Sequence, residues 1–561
     1  MTPTSPMPAS ALLDVRDLRV DYRNPLRQGL AVDGLSFSLA RGEALALVGE
    51  SGCGKSTTAL SLLKLLPAET RMTGTARFEG RDLVAAGRRD IEAIRGRDIG
   101  MVFQEPMTSL NPVYRVGWQI GEVLRRHLGL SGRAARARVL ELLDQVALPD
   151  PRRRIDAWPH ELSGGQRQRV MIAMAIALSP KLLIADEPTT ALDASVQEQI
   201  LTLLDRLRRE LDMAILLISH DLPVVRRWTD RVVVMHHGAA MERLRSDRLF
   251  EDARHPYSRG LIGASLSAGD RRHYASAGLD EIETVRTEAG DWSFTLKTPP
   301  ARHVRVDPDA PPALEVRDLR VDYPGRSGPF RAVNGVSFTI RRGHTLGLVG
   351  ESGCGKSSLS RAILGLVRPA TGSIHLAGTR IDGLSAAALR PARRRLQMIF
   401  QDPFASLNPR KSVAALLGDV LRASGETDRA GIARRIRTSL DEVGLPQTAL
   451  ARLPHEFSGG QRQRIAIARA LILKPDVVIC DEPVSALDVS VQAQILNLLV
   501  ELKREHGLTL LFISHDLAVV RYMSDDVIVM RAGEIVEAAP ATELWANPRH
   551  DYTRQLLAAA A

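Results

Sequence analysis

Cysteine is nearly absent from this chain: Cys53, Cys354 and Cys480 are the only three in 561 residues. Thiols spread so widely make neither a metal-ligand spacing nor a disulfide framework, and they fit a reducing compartment. Aromatic residues are also few, at 4%. The net charge of +10 therefore has no stacking platforms beside it, and only residues 152–154 and 393–395 form runs of three arginines. A basic solvated surface is expected rather than a nucleic-acid interface. No apolar run approaches the roughly 20 residues that span a bilayer. The longest candidate, residues 170–178, lies between Arg169 and the Ser179, Pro180, Lys181 stretch. Residues 1–13 lack the basic start and continuous apolar core of a secretory signal. A role at a membrane would thus need another protein as the anchor. What remains, 44% hydrophobic and 25% charged residues, is the balance of a globular protein with room for sizeable cores.

The dominant positive feature is a repeat, and internal repeats change the reading of everything else. Residues 15–22 read VRDLRVDY, and residues 316–323 read VRDLRVDY again. LVGESGCGKS occurs at 47–56 and at 348–357. HELSGGQRQR, beginning at His160, returns as HEFSGGQRQR at His455, and LLISHDL at Leu216 returns as LFISHDL at Leu511. The order of blocks is kept and their spacing drifts by only a few residues, so a whole domain is duplicated. Residues 266–312 lose the pattern, carry Pro299-Pro300 and a DPDAPP run, and read as a linker with little structure of its own. The domains are placed at 11–265 and 313–561. Each has a β-rich start, then strand, glycine loop and helix. A largely helical insertion follows at 111–157 and 408–453, and helix–strand alternation then resumes. Short apolar runs such as residues 182–185 and 214–218 suit buried parallel strands. The fold class is α/β: two tandem P-loop domains, each a RecA-like core with a β-rich and a helical subdomain.

Gly49, Glu50, Ser51, Gly52, Cys53, Gly54, Lys55 and Ser56, with Thr57 behind them, fit G-x-x-x-x-G-K-[ST]. Gly350, Glu351, Ser352, Gly353, Cys354, Gly355, Lys356, Ser357 and Ser358 do the same. Glycines let the backbone wrap phosphates with its N–H groups inward, and the following helix adds its positive end. Lys55 and Lys356 are expected on the β- and γ-phosphates, and Ser56 and Ser357 on Mg²⁺. The cysteine in each loop reads as a small filler. Two apolar strands end in paired acids, Asp186-Glu187 and Asp481-Glu482. A carboxylate there can bind Mg²⁺, the role given to Asp186 and Asp481. The next residue, Glu187 or Glu482, can orient or deprotonate an attacking water. Ser163, Gly164, Gly165 and Gln166, and likewise Ser458, Gly459, Gly460 and Gln461, read as capped helix starts with exposed backbone.

With these residues in view, the chain resembles the ABC transporter ATPase family, whose signature is LSGGQ; Phe457 replaces the usual leucine in the second copy. The resemblance covers nearly all of the chain outside the linker. It implies an intramolecular pseudo-dimer in which two cassettes sandwich two ATP molecules head to tail. One site would combine Tyr22, residues 49–57, Gln104, Asp186, Glu187 and His220 with the signature at Ser458. The other would combine Tyr323, residues 350–358, Gln401, Asp481, Glu482 and His515 with the signature at Ser163. Tyr22 and Tyr323 match the family's adenine-stacking aromatic, or are core tyrosines on a strand. Gln104 and Gln401 match the glutamine that senses the γ-phosphate, Mg²⁺ and the membrane partner. His220 and His515 match the switch histidine, and Asp193 and Asp488 the aspartate that signals across the dimer. No catalytic position is degenerate in either set, so two hydrolytic sites are expected.

The branch is narrowed by SLNP segments at 109–112 and 406–409 and by HPYSR at 255–259 and HDYTR at 550–554. These look like motifs of the oligopeptide, dipeptide and nickel importer ATPases, although Asp551 stands where proline is usual. Two cassettes in one chain are similar to the fused microcin C/oligopeptide and glutathione importer ATPases. The resemblance implies ATP hydrolysis coupled to peptide uptake at the cytoplasmic face of the inner membrane. The partners implied are two membrane permease subunits and a periplasmic substrate-binding protein. Glutathione, nickel or another small solute is the alternative cargo. No iron–sulfur cluster is expected, because no cysteine lies between Cys53 and Cys354 or after Cys480. Soluble tandem ATPases of the ribosome or DNA form a different class. Pro188-Thr-Thr-Ala-Leu-Asp193 and Pro483-Val-Ser-Ala-Leu-Asp488 follow the transporter pattern instead, and nucleic acid is not expected as a partner.

Overall fold

Alternating apolar and polar residues build the first strand, β1 (Ala11–Asn24). Leu13, Val15, Leu18 and Val20 are buried while Arg16 and Arg19 face out, as a half-buried antiparallel strand requires. The pairing slips between Val15 and Leu18, beside Asp17, whose φ of 47° marks an irregularity that keeps both flanks facing the core. The computed structural model describes residues 11–24, 27–104, 109–190, 192–267, 269–287, 292–301, 311–324, 328–485 and 487–560. Pro106, Met107 and Thr108 of the first SLNP region and most of the DPDAPP run lie outside them.

The chain forms two compact units. The first contains Met1–Leu192, Val196–Ser265 and Thr284–Thr295, and the second contains Asp193–Ser195, Leu266–Glu283 and Leu296–Ala561. In the first, β1 pairs with β2 (Arg27–Ala40) and β4 (Arg71–Phe78), and β5 (Arg81–Asp82) completes an antiparallel sheet of order β2-β1-β4-β5. The larger sheet has the order β10-β9-β3-β8-β7-β6. Its strands are β3 (Ala44–Val48), β6 (Ile99–Val102), β7 (Leu182–Asp186), β8 (Ala214–Ile218), β9 (Arg231–His236) and β10 (Ala239–Arg245). Only β10 runs antiparallel to its neighbour. β3, β7 and β8 are buried along their whole lengths, which explains their uninterrupted apolar runs. Helices Val116–Leu128 and Gly132–Gln145 form the helical insertion and pack on helix Gly164–Ile176 through Ile120, Leu124, Val139, Leu142 and Ile172. Each such fully buried aliphatic side chain contributes about 1.5–3 kcal/mol.

In the segment between the repeats, β11 (Glu281–Arg286) and β12 (Trp292–Lys297) pair as a two-stranded sheet. This part of the supposed linker therefore has structure of its own, contrary to expectation. Its stability comes from packing: β12 alternates half-buried Trp292, Phe294 and Leu296 with exposed Ser293 and Thr295. Leu279 is fully buried, and its backbone N–H and carbonyl both bond to the Asn497 side-chain amide, at 3.1 and 2.9 Å.

The second unit repeats the plan. Its antiparallel sheet, of order β14-β13-β16-β17, comprises β13 (Leu314–Tyr323), β14 (Phe330–Ile340), β16 (Thr371–Leu376) and β17 (Thr379–Arg380). Its larger sheet, of order β18-β19-β20-β15-β21-β22, comprises β15 (Thr345–Val349), β18 (Leu396–Ile399), β19 (Val477–Asp481), β20 (Thr509–Ile513), β21 (Asp526–Arg531) and β22 (Glu534–Pro540). The two large sheets have the same strand order, so the duplication in sequence is a duplication in topology.

Candidate active site

Each glycine loop leaves the C-terminal end of a buried central strand, where open α/β sheets place their ligands. Gly49 turns at φ 150°, and a Cβ there would come within 2.1 Å of the Met235 carbonyl. At Gly54, with φ 102°, a Cβ would lie 2.3 Å from the Ala31 carbonyl. Side chains are excluded at both positions by neighbouring backbone. Lys55 folds back under the loop, buried, and its Nζ donates to the Gly49 carbonyl at 2.6 Å and the Glu50 carbonyl at 2.9 Å. Lys356 makes the same pair of bonds to Gly350 and Glu351, at 2.6 and 2.9 Å. An ammonium pre-placed inside a ring of inward N–H groups is an anion receptor. Cys53 and Cys354 are both buried, in keeping with small fillers, and burial pushes the Cys354 thiol up.

The paired acids stand at the ends of β7 and β19. Ser56 donates its hydroxyl to Asp186 Oδ1 at 3.0 Å. Glu187 follows at φ 45° and Glu482 at φ 48°, a left-handed backbone that costs about 1 kcal/mol or more away from glycine. Gln104 donates from Nε2 to Glu187 Oε2 at 2.8 Å, and Thr190 donates its hydroxyl to the same atom at 2.9 Å. His220 Nδ1 lies 3.5 Å from that oxygen. In the second unit Gln401 donates to Glu482 at 2.7 Å and His515 Nδ1 stands 3.1 Å from Glu482. Loop, acid pair, glutamine and histidine thus converge within each unit.

Adjacent carboxylates are driven apart in acidity. Burial pushes Asp186 up to about 6; the Ser56 hydrogen bond opposes this and the Glu187 charge adds to it. Burial would raise Glu187 too, but the hydrogen bond and charge of His220, with help from Thr190, hold it down at about 2. Asp481 likewise rises to about 6 through burial and the charge of Glu482. Glu482 falls because His515 outweighs its burial, and His515 rises in turn. Each site thus sets a readily ionised glutamate beside an aspartate whose carboxyl is held above its ordinary range.

Among the described residues no group of three or more His, Cys, Asp or Glu could hold a metal. The hydroxyl and carboxylate of Ser56 and Asp186 nevertheless suit Mg²⁺, which takes few protein oxygens and completes its shell with phosphate and water. A buried carboxylate with a raised pKa is also one that a cation would relieve.

Ser163 and Ser458 each begin a helix, Gly164–Ile176 and Gly459–Leu471. Their hydroxyls accept from the N–H of Gln166 and Gln461 at 3.4 Å, while those glutamine side chains accept from the serine N–H groups at 3.2 Å. Both are capping boxes. A Cβ on Gly165 would lie 2.5 Å from Val196 Cγ1, and one on Gly460 2.3 Å from Val491 Cγ1. Tyr22 is 8% exposed with its hydroxyl 3.3 Å from Thr57 Oγ1. Tyr323 is half-buried.

Sequence reasoning missed a tyrosine pair. Tyr257 Oη accepts from the Glu50 N–H at 3.2 Å, and Tyr552 Oη from the Glu351 N–H at 3.0 Å. They belong to HPYSR and HDYTR, whose histidines cap the helix through Nδ1 at 3.2 and 3.0 Å. The repetition of this motif in both copies was the available signal.

The ABC transporter family matches residues 32–190 and 333–485, more than half of the chain. The chain belongs to the ABC transporter family. As a member it is an ABC-type ATPase with two cassettes. The C-terminal region of oligopeptide/dipeptide transporters matches residues 241–288 and 536–561, once towards the end of each repeat. The peptidoglycan transport ATP-binding protein YejF of Agrobacterium fabrum is 47% identical over 559 residues, 98% of this chain and 96% of that protein. The glutathione import ATP-binding protein GsiA of Pectobacterium atrosepticum is 46% identical over 567 residues, 99% of this chain and 90% of that protein. GsiA of Escherichia coli K12 is 45% identical over 565 residues, with 98% and 90% covered. Among solved structures, cbiO1 from Clostridium perfringens, part of the ABC transporter complex cbiONQ, covers 42% of this chain and 92% of its own at 29% identity and a TM-score of 0.38.

Proposed function

We propose that this ABC ATPase is the motor of an importer that takes up oligopeptides or dipeptides through separate membrane permease subunits. The observation that carries the reading is the oligopeptide/dipeptide region towards the end of each repeat, together with two undamaged motif sets. No helix among the described residues is long and apolar enough to cross a membrane. The chain would dock peripherally on two permease subunits at the cytoplasmic face of the inner membrane, with a periplasmic binding protein delivering cargo. Cassettes at 11–265 and 313–561, and the pairing of each phosphate loop with the other cassette's signature serine, belong to the same proposal.

In the proposed reaction Lys55 and the loop N–H groups hold the β- and γ-phosphates, and Lys356 does so in the second cassette. Mg²⁺, held by Ser56, Gln104 and Asp186 or by Ser357, Gln401 and Asp481, would neutralise phosphate charge when bound. Glu187 and Glu482, ionised at neutral pH, accept a proton from the attacking water. His220 and His515 keep them ionised and oriented, and Gln104 and Gln401 tie each glutamate to the segment facing the permease.

A second reading is favoured by the GsiA relatives at 45–46% identity: import of glutathione, itself a small peptide. Uptake of labelled oligopeptides and of glutathione should be compared in cells carrying the wild type or Glu187→Gln/Glu482→Gln. Loss of peptide uptake at equal protein level is expected. Peptide uptake unchanged with glutathione uptake lost moves the cargo to the second reading.

A further inference from the structure

The wall behind the first phosphate loop is built from the turn between β9 and β10. His237 and Gly238 both have positive φ, 43° and 85°, the signature of a type I′ hairpin turn. Gly238 donates its N–H to the Cys53 carbonyl at 2.9 Å and accepts from the Asp33 N–H at 2.9 Å. With Gly49 pressed on the Met235 carbonyl and Glu50 N–H bound to Tyr257 Oη, the position of the loop depends on this turn and on Tyr257.

Strand β12 packs on both. Trp292 stacks face to face on His237, with centroids 4.2 Å apart and planes 8° apart. Phe294 meets His236 at 5.0 Å, His255 at 5.3 Å and Tyr257 at 5.5 Å. His236 is 2% exposed, its Nδ1 has no hydrogen-bond partner, and it also packs on Tyr257 at 4.6 Å. Among the described residues, the second cassette keeps the wall but not this packing. Gly533 donates to the Cys354 carbonyl at 2.9 Å, and Ala532 takes the positive-φ place of His237. There Tyr552 meets the Arg531 guanidinium at 4.9 Å.

We propose that Trp292 and Phe294 form a latch by which the segment between the repeats positions the phosphate loop of the first cassette, and that the second cassette has no such latch. The proposal rests on the reading of residues 49–57 as a nucleotide loop. Trp292 and Phe294 are positioning residues: they act through His237 and Tyr257 on the Gly49–Glu50 backbone. The two sites of one chain thereby differ in nucleotide affinity although their motifs are the same.

Binding of a fluorescent ATP analogue to the full chain tests this, with one site disabled at a time by Lys356→Ala or Lys55→Ala. Adding Trp292→Ala and Phe294→Ala to Lys356→Ala should weaken the remaining first site by about tenfold, the scale of a lost aromatic pair plus a loosened hydrogen bond. In the Lys55→Ala background the same changes should leave affinity within twofold, the wild-type scatter of such pairs. Trp292→Tyr, which keeps the stack, should restore most of the loss. In steady-state turnover the effect should fall on KM rather than kcat. Equal affinity in both backgrounds, or an equal fall in both with a lowered melting temperature, overturns the latch. Failure of Lys356→Ala alone to bind nucleotide overturns the nucleotide-loop reading itself.

Discussion

Gln104 and Glu187, 83 residues apart in the chain, are joined by a 2.8 Å hydrogen bond from the glutamine amide to the carboxylate. Gln401 and Glu482 repeat it at 2.7 Å. The glutamine sits just after β6 and the glutamate just after β7, neighbouring parallel strands, so the bond reports whether the segment following β6 is seated against the carboxylate proposed as the base. Removing the charge while keeping the shape isolates the base. Glu187→Gln/Glu482→Gln should keep ATP binding and lower phosphate release by at least about a hundredfold, the usual worth of a positioned base. Wild-type turnover in that double variant sinks the catalytic assignment.

Gln104→Ala tests the other half of the relationship. It leaves Thr190 and His220 on Glu187, so the carboxylate stays ionised, but a proposed Mg²⁺ ligand is lost and basal hydrolysis should fall by about tenfold or more. Stimulation of the ATPase by reconstituted permease and binding protein should fall further. Equal loss of basal and stimulated rates would show that the glutamine serves chemistry alone.

Much of this site was legible in the sequence, because its parts are short and their chemistry is fixed by residue type. A glycine loop, a strand ending in two acids and an SGGQ cap each name their own local geometry, and duplication removed the chance of coincidence. The cores of β3, β7 and β8 were readable from unbroken apolar runs. Tyr257 was not, because a tyrosine hydroxyl reaching a backbone N–H 207 residues away leaves no local pattern. Strands β11 and β12 were passed over for a different reason. The alternation of Trp292, Phe294 and Leu296 with polar residues is a strand signal, but it stands between glycine- and proline-bearing stretches that read as linker, and Trp292 and Leu279 are ordered by partners distant in sequence.

The pH dependence of the first cassette should carry the mark of His236. Burial, reinforced by His237 and His255, pushes its ring down to about 4, below the ordinary 6.5. As pH falls the unfolded chain takes up the proton first, so the stability contributed by the neutral ring is complete above about pH 6.5 and is lost on the way to pH 4. His237 and His255 shift in the same direction and steepen the loss. Unfolding free energies from denaturant melts at pH 5 and pH 8 should therefore differ, and His236→Phe should shrink that difference by about 1–3 kcal/mol. An unchanged difference would put the titration elsewhere.

Lys503 offers the severest test of stability in the second unit. Its side chain is fully buried, and Nζ donates to Tyr274 Oη and Thr345 Oγ1, both at 2.7 Å, and to Asp525 Oδ2 at 3.3 Å. Tyr274, from the segment between the repeats, donates in turn to Asp525 Oδ1 at 2.8 Å. Burial alone would raise the Asp525 carboxyl, but the Lys503 charge and the bonds from Thr345 and Tyr274 hold it below 3.8. Its contribution is therefore present above about pH 4 and is lost only as pH falls through the lowered value. Lys503→Met leaves a part-buried carboxylate, 22% exposed, without its cation and should cost about 2–3 kcal/mol at neutral pH. Asp525→Asn added to Lys503→Met removes the stranded charge, so the double variant should be more stable than Lys503→Met alone. If the two substitutions add without coupling in denaturant melts, the pair does not hold the segment to the domain, and packing of Leu279 and Tyr274 must do so instead.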